Sequence, residues 1–126
     1  MKTVSNDKSP EKILESLLKV DGVLMALVVD KEGLLLANAG EREDIDIESL
    51  GALASAALSS ARSLGEEFKN GILERVIIEF REGKVLLSDL GEEMVLAVFA
   101  SQAARIGVLR VAMIKISPSI KEAFSF

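Results

Sequence analysis

The sequence predicts an α+β domain in which three helices and five strands follow the order α-β-β-α-β-β-β-α. Three observations carry this expectation. Val23 to Val29 and Met94 to Ala100 are continuous apolar runs, short and valine-containing, as in strands buried on both faces. Two charged glycine turns, Asp30-Lys31-Glu32-Gly33 and Arg81-Glu82-Gly83-Lys84, each join a pair of strand-like segments. Between these hairpins, apolar residues recur at spacings of three and four from Ile47 to Phe68, the period of a long amphipathic helix.

Ser9-Pro10-Glu11 opens the first helix with a capping hydroxyl, a proline at the first helical position and an acid near the positive end of the dipole. Ile13, Leu14, Leu17 and Leu18 form its apolar face, and Asp21-Gly22 ends it. The first strand is Val23 to Val29 and the second is about Leu34 to Ala39, followed by a charged loop from Gly40 to Asp44. Asp46 reads as the cap of the second helix, with Ile45 and Leu50 in the hydrophobic-staple arrangement. The expected core stripe is Ile47, Leu50, Ala54, Ala57, Ala61, Leu64 and Phe68, and Asn70-Gly71 supplies a left-handed stop. Such a helix has about 23 residues and a length of roughly 35 Å.

The third strand, Glu74 to Phe80, places Val76, Ile78 and Phe80 on one side and Arg75, Ile77 and Glu79 on the other. That alternation predicts an edge position. Val85 to Leu90 is the return strand, Gly91-Glu92-Glu93 a turn, and Met94 to Ala100 a central strand. Ile106, Leu109, Met113, Ile116, Ile120 and Phe124 keep one helical stripe, so the last segment is expected to be a helix, kinked or broken near Ser117-Pro118. With the first and fifth strands central, helices must cover both faces of the sheet.

A chain of 126 residues that is 49% hydrophobic and 28% charged fits one globular core. The expected organisation is a disordered tail at residues 1–8 and a single domain at residues 9–126. The polar start, Met1 to Lys8, lacks the apolar stretch of a secretory signal, and no apolar run is long enough to span a bilayer. Zero cysteines fits a reducing compartment, so a soluble cytoplasmic protein is expected. A net charge of −5 disfavours nucleic acid as a partner. His, Cys, Tyr and Trp are all absent, which removes the commonest general base, the thiolate nucleophile and the usual zinc and copper ligands. No catalytic, cofactor-binding or metal site is expected.

Other candidates for chemistry have plainer readings. Glu41, Glu43, Asp44 and Asp46 cluster, but without the alternating spacing and internal glycine of a calcium loop, so a solvated acidic loop is expected. Glu92-Glu93 reads as a solvated turn. Arg42, Arg62 or Arg105 could act as a finger on a partner's nucleotide, and nothing in the sequence selects among them. Phosphate-loop, dinucleotide and serine-nucleophile motifs are absent from the sequence.

The back of the long helix is the unusual feature. Where a surface helix normally turns charge to water, this one has Ser49, Ala52, Ala56, Ser59, Ser60 and Ser63, with Glu48, Arg62, Glu66 and Glu67 at the margins and end. Small residues on an exposed helix are unremarkable singly. As a strip they let another backbone approach closely with little side-chain entropy lost. The strand carrying Arg75, Ile77 and Glu79 adds an edge whose backbone groups a second chain can extend. Together they predict one interface of a symmetric dimer.

These residues resemble the roadblock/dynein light-chain domain family over about Ile13 to Phe124. The resemblance rests on Val20-Asp21-Gly22-Val23, Asp30-Lys31-Glu32-Gly33, the Ala/Leu/Ser-rich helix, Val76-Ile77-Ile78-Glu79 and Ile106-Gly107-Val108-Leu109-Arg110, in that order. Pro118 departs from the usual uninterrupted final helix, and Ser101-Gln102-Ala103-Ala104 stands where the family has a polar turn. The resemblance implies a five-stranded antiparallel sheet with the long helix on one face and the terminal helices on the other. It also implies dimerisation through that helix and the third strand, and a non-catalytic role: dynein subunit, lysosomal GTPase scaffold, or bacterial partner that stimulates a Ras-like GTPase. Lacking an appended domain, the chain is similar to the prokaryotic single-domain members.

The expected function is therefore a homodimer that binds and regulates a small Ras-like GTPase, with Ala52, Ala56, Ser59, Ser60 and Ser63 on the partner face. The competing reading is a structural scaffold indifferent to nucleotide. A third, a small-ligand sensor, is disfavoured by core strands nearly devoid of polar residues.

Overall fold

The computed structural model describes residues 9–91 and 94–125. The expected tail at residues 1–8 and the Glu92-Glu93 turn lie outside the described residues. The elements are α1 (Pro10–Leu17), β1 (Val23–Asp30), β2 (Leu35–Ala39), α2 (Ile47–Glu67), β3 (Arg75–Phe80), β4 (Gly83–Gly91), β5 (Met94–Ser101) and α3 (Ile106–Ala123). Their order is the one the sequence predicts.

All four strand pairings are antiparallel, and the sheet runs β2-β1-β5-β4-β3. β1 and β5 are interior and β3 is an edge, as the hydrophobic runs and the alternation require. Leu24 departs from the uniform burial expected of β1: the register shifts between Val23 and Met25, and Leu24 at that irregularity is turned outward. The first hairpin is fixed by Asp30, whose Oδ1 accepts from the backbone N–H groups of Glu32 and Leu34, both at 2.9 Å. Gly33 follows at φ 90°, and its Cα comes so near Ala52 of α2 that a Cβ there would lie 2.8 Å from the alanine Cα.

Two apolar layers flank the sheet. On one side Leu14 and Leu17 of α1 and Leu109, Met113 and Ile120 of α3 pack on Ala26, Val28, Leu86, Leu96 and Val98. On the other, Ala54 and Leu58 of α2 pack on Met25, Leu27, Val29, Leu87 and Ala97. Leu58 is fully buried, which is worth about 2 kcal/mol of transfer free energy.

α1 begins as its sequence requires, with the Ser9 hydroxyl accepting from the Lys12 N–H at 3.2 Å. α3 keeps the stripe of Ile106, Leu109, Met113, Ile116, Ile120 and Phe124 toward the core, and is not broken at Pro118. The proline forfeits one hydrogen bond, to the carbonyl of Ile114, and both residues lie on the exposed side of the helix, open to solvent. The neighbouring Ser117 hydroxyl donates to the Met113 carbonyl at 2.7 Å.

α2 differs from expectation in two respects. Its seat on the sheet consists of Gly51, Ala54, Ser55 and Leu58, about a quarter turn from the expected stripe. Leu64 and Phe68, placed in the core by periodicity, are 73% and 77% exposed. The cause is close approach: a Cβ on Gly51 would lie 2.7 Å from Val29 Cγ1, and the Ser55 hydroxyl donates to the Lys31 carbonyl at 2.7 Å. Small residues decide which side of the helix meets the sheet. The stop differs too, because Lys69 holds the left-handed position at φ 59°. Asn70 N–H reaches the Gly65 carbonyl at 2.9 Å and Lys69 N–H the Glu66 carbonyl at 3.1 Å, closing a Schellman motif.

Candidate interaction surface

α2 presents three faces. The first is the seat just described. The second is the small-residue strip, on which Ser49, Ala52, Ala56, Ser59, Ser60 and Ser63 are all exposed. The third, between them, carries Leu53, Ala57, Ala61, Leu64 and Phe68 and looks across a gap toward β3.

That gap exists because α2 packs over β1, β5, β2 and β4 and leaves the edge strand largely uncovered. Val76, Ile78 and Phe80 point to the α2 side of the sheet, in register with Leu87, Val85 and Gly83 of β4. Two apolar depressions result. One is bounded by Leu50, Leu53 and Ala57 against Ile78, Phe80, Val85 and Phe99. The other lies between Leu64 and Phe68 of the helix and Ile72, Leu73 and Val76. Ile72 is 92% exposed and Phe80 59%. Exposed apolar side chains joined into a band mark an interaction site, unlike singly scattered ones.

On the opposite side of β3, Arg75, Ile77 and Glu79 face the layer of α1 and α3, as their alternation with Val76, Ile78 and Phe80 requires. Ile77 and Glu79 are exposed. Arg75 is mostly buried, and its Nε is enclosed without a hydrogen-bond partner among the described residues. The structure thus brings Arg75, Ile77 and Glu79 together on the edge strand, on the face of the sheet opposite α2 and its small-residue strip.

Sequence reasoning assigned Leu64 and Phe68 to the core and missed Leu53, Ile72 and Phe80 as surface groups. A signal was present in the dimensions. A 21-residue helix extends about 31 Å, whereas five strands span only about 19 Å between the outer axes. One end of an apolar stripe that long must overhang such a sheet if it crosses the strands.

The polar groups around the strip are mostly committed within the chain. Asp46 caps α2, accepting from the Glu48 and Ser49 N–H groups at 3.1 and 3.3 Å, and the Ser49 hydroxyl donates to its second oxygen at 2.8 Å. The Ser49 hydroxyl, then the Ser49 backbone N–H, hold the Asp46 carboxyl below its ordinary value of 3.8. Arg62 pairs with Asp89 of β4 at 2.6 Å, and Arg42 pairs with Asp44 at 2.9 Å in the acidic loop. Among the described residues, no group of three or more His, Cys, Asp or Glu side chains is placed to hold a metal ion.

The Roadblock/LC7 domain model matches residues 10–100. The chain belongs to the Roadblock/LC7 family. Two uncharacterised proteins of Methanocaldococcus jannaschii, MJ0310 and MJ1340, are each 34% identical over 114 residues, covering 90% of this chain and 98% of their own. Among solved structures, the Roadblock/LC7 domain from Streptomyces avermitilis is 26% identical with a TM-score of 0.83, covering 89% of this chain and 94% of that one. MglB from Myxococcus xanthus has a TM-score of 0.84 at 22% identity, covering 91% and 94%. That likeness is one of fold.

Proposed function

We propose that this Roadblock/LC7 chain is a non-catalytic homodimer that binds a small Ras-like GTPase and biases its nucleotide state. The observation that carries the reading is the apolar band of Leu53, Leu64, Phe68, Ile72 and Phe80, which runs beside an edge strand with one side of its backbone unpaired among the described residues. A second copy related by a two-fold axis perpendicular to the sheet covers both at once. Its β3 extends the sheet, and its α2 lies against the first α2 over the two depressions. The paired helices then present their Ala/Ser strips as one broad, smooth platform.

A small Ras-like GTPase is the partner that family resemblance implies, and the platform suits it in one respect: it offers shape and few charges. The action would be positional, ordering the switch segments of the GTPase so that its own groups align, with no residue donated. Light scattering at micromolar concentration tests the pairing, and a monomeric mass sinks it. Pull-down from the source organism's extract with GDP or a GTP analogue tests the partner. Enrichment of a small GTPase in one nucleotide state supports the regulator. Equal recovery of a non-GTPase protein in both states would instead favour a structural scaffold.

A further inference from the structure

The outer face of α3, on the side of the sheet away from α2, is both cationic and apolar. Val108, Val111 and Ile114 are each about half exposed along it, although α3 already buries Leu109, Met113 and Ile120 on its inner side. Arg110 and Lys121 border these residues on one flank, Arg105 and Lys115 on the other, and all four cations are exposed. Glu122 is the single acid of the helix. A shallow hollow between Arg105 and Lys115 is lined by Gly107, Val108, Val111 and Ala112.

The charge of the remaining chain gives this face its meaning. The protein is acidic overall, at −5, so a helix with three cations and one acid, preceded by Arg105 at its N-cap, is a local reversal. The excess of acid lies across the sheet, on α2 and the loop entering it, where Glu41, Glu43, Asp44, Asp46, Glu48, Glu66 and Glu67 outnumber Arg42 and Arg62. α1 and the turn after it, on the α3 side, carry Glu11, Glu15 and Asp21 against Lys12 and Lys19, close to balance. The domain is therefore polarised through its thickness, basic on the α3 side and acidic on the α2 side.

We propose that the outer face of α3 is a docking surface for an anionic lipid bilayer. A charge separation spread over a whole domain is oriented by an extended charged plane, whereas recognition of one acidic helix needs only a local stripe. The cations flank the apolar residues rather than oppose them. Their long aliphatic stems can lie on the surface beside Val108, Val111 and Ile114 while the charged ends reach phosphate and carboxylate oxygens. No helix among the described residues is long and apolar enough to cross the membrane, so the contact is peripheral. The assignment does not depend on pairing through β3, and it leaves the α2 face turned away from the lipid.

Co-sedimentation of the full chain with vesicles decides the matter. With phosphatidylcholine containing about one-third phosphatidylserine at low salt, the protein should pellet. Pelleting should fall at least several-fold when salt rises to about 0.3 M, and should be at background with phosphatidylcholine alone. Arg110→Glu with Lys115→Glu should abolish binding. Arg42→Glu with Lys69→Glu, the same change in net charge made away from α3, should bind like the parent. Circular dichroism establishes that both variants are folded. A parent that stays in the supernatant overturns the proposal, as does equal loss in the two double variants. Binding of a glutamate-flanked amphipathic peptide helix without binding of anionic vesicles would overturn it too, and would assign the face to a protein.

Discussion

Gly51 lies against Val29 so closely that a Cβ on the glycine would come within 2.7 Å of the valine Cγ1. Val29 is fully buried in the interior strand β1. This contact fixes the rotation of α2 and so decides which side chains are left for another molecule.

Gly51→Ala should therefore destabilise the domain although alanine is the better helix former. The propensity gain is about 1 kcal/mol, and overpacking at a buried site costs about 1–3 kcal/mol, so the net loss should be roughly 1 kcal/mol. Gly65 is the control in the same helix, because a Cβ there meets only the Gly71 carbonyl at 3.8 Å. Gly65→Ala should stabilise by up to about 1 kcal/mol. Urea unfolding of both variants measures the two signs, and equal signs would refute the role given to Gly51.

Much of this architecture was legible in the residues. The buried strands are written as unbroken apolar runs, the edge strand as an alternation, and the hairpins as charged glycine turns. The rotation of α2 was not, because apolar periodicity reports that a stripe will be covered without saying by what. Leu64 and Phe68 belong to the expected stripe yet stay exposed, whereas Leu58, outside that stripe, is buried on the sheet. What positions the helix is the small size of Gly51 and Ser55, and a hydrophobic count scores neither. Pro118 misled for a related reason: its cost depends on whether the freed carbonyl is wet, and sequence alone does not show that.

The Asp46 cap predicts a pH dependence with a definite sign. Its folded carboxyl titrates lower than its ordinary 3.8, owing first to the Ser49 hydroxyl. A depressed folded value stabilises above the unfolded value and loses that contribution as pH falls through the folded one. Asp46→Ala should thus lower the melting temperature at neutral pH. The gap between parent and variant should narrow below about pH 4. A gap that does not change between pH 7 and pH 3 would show that the charged cap is not the source.

Charge on the edge strand selects a register for the proposed pairing. A two-fold axis perpendicular to the sheet keeps faces together, so only residues of like parity can oppose each other. Centring the pair on Ile77 sets Arg75 against the partner's Glu79 twice, whereas a register two residues further opposes Arg75 to the partner's Arg81. Arg75→Glu or Glu79→Arg alone should weaken the dimer by about tenfold, since each places like charges opposite each other at two points. The double exchange should restore it, as read by sedimentation velocity over a dilution series. A dimeric parent without rescue refutes the register and leaves the dimer standing.

The two exposed surfaces of α2 should separate by mutation. Ala56 lies on the Ala/Ser strip, exposed and outside the apolar band that borders β3. Arg at that position adds bulk and charge where a partner backbone must approach, while the seat of Gly51, Ala54, Ser55 and Leu58 is untouched. Ala56→Arg should leave the circular dichroism spectrum and the dimer mass unchanged and reduce affinity for the captured GTPase by at least a hundredfold, about 3 kcal/mol. Phe68→Asp and Ile72→Asp, within the band, should act on the dimer instead: the mass falls toward the monomer, and partner binding is lost with it because the platform is no longer assembled. Titration calorimetry beside light scattering distinguishes the cases. An Ala56→Arg dimer that binds with the affinity of the parent would place the partner somewhere other than the strip.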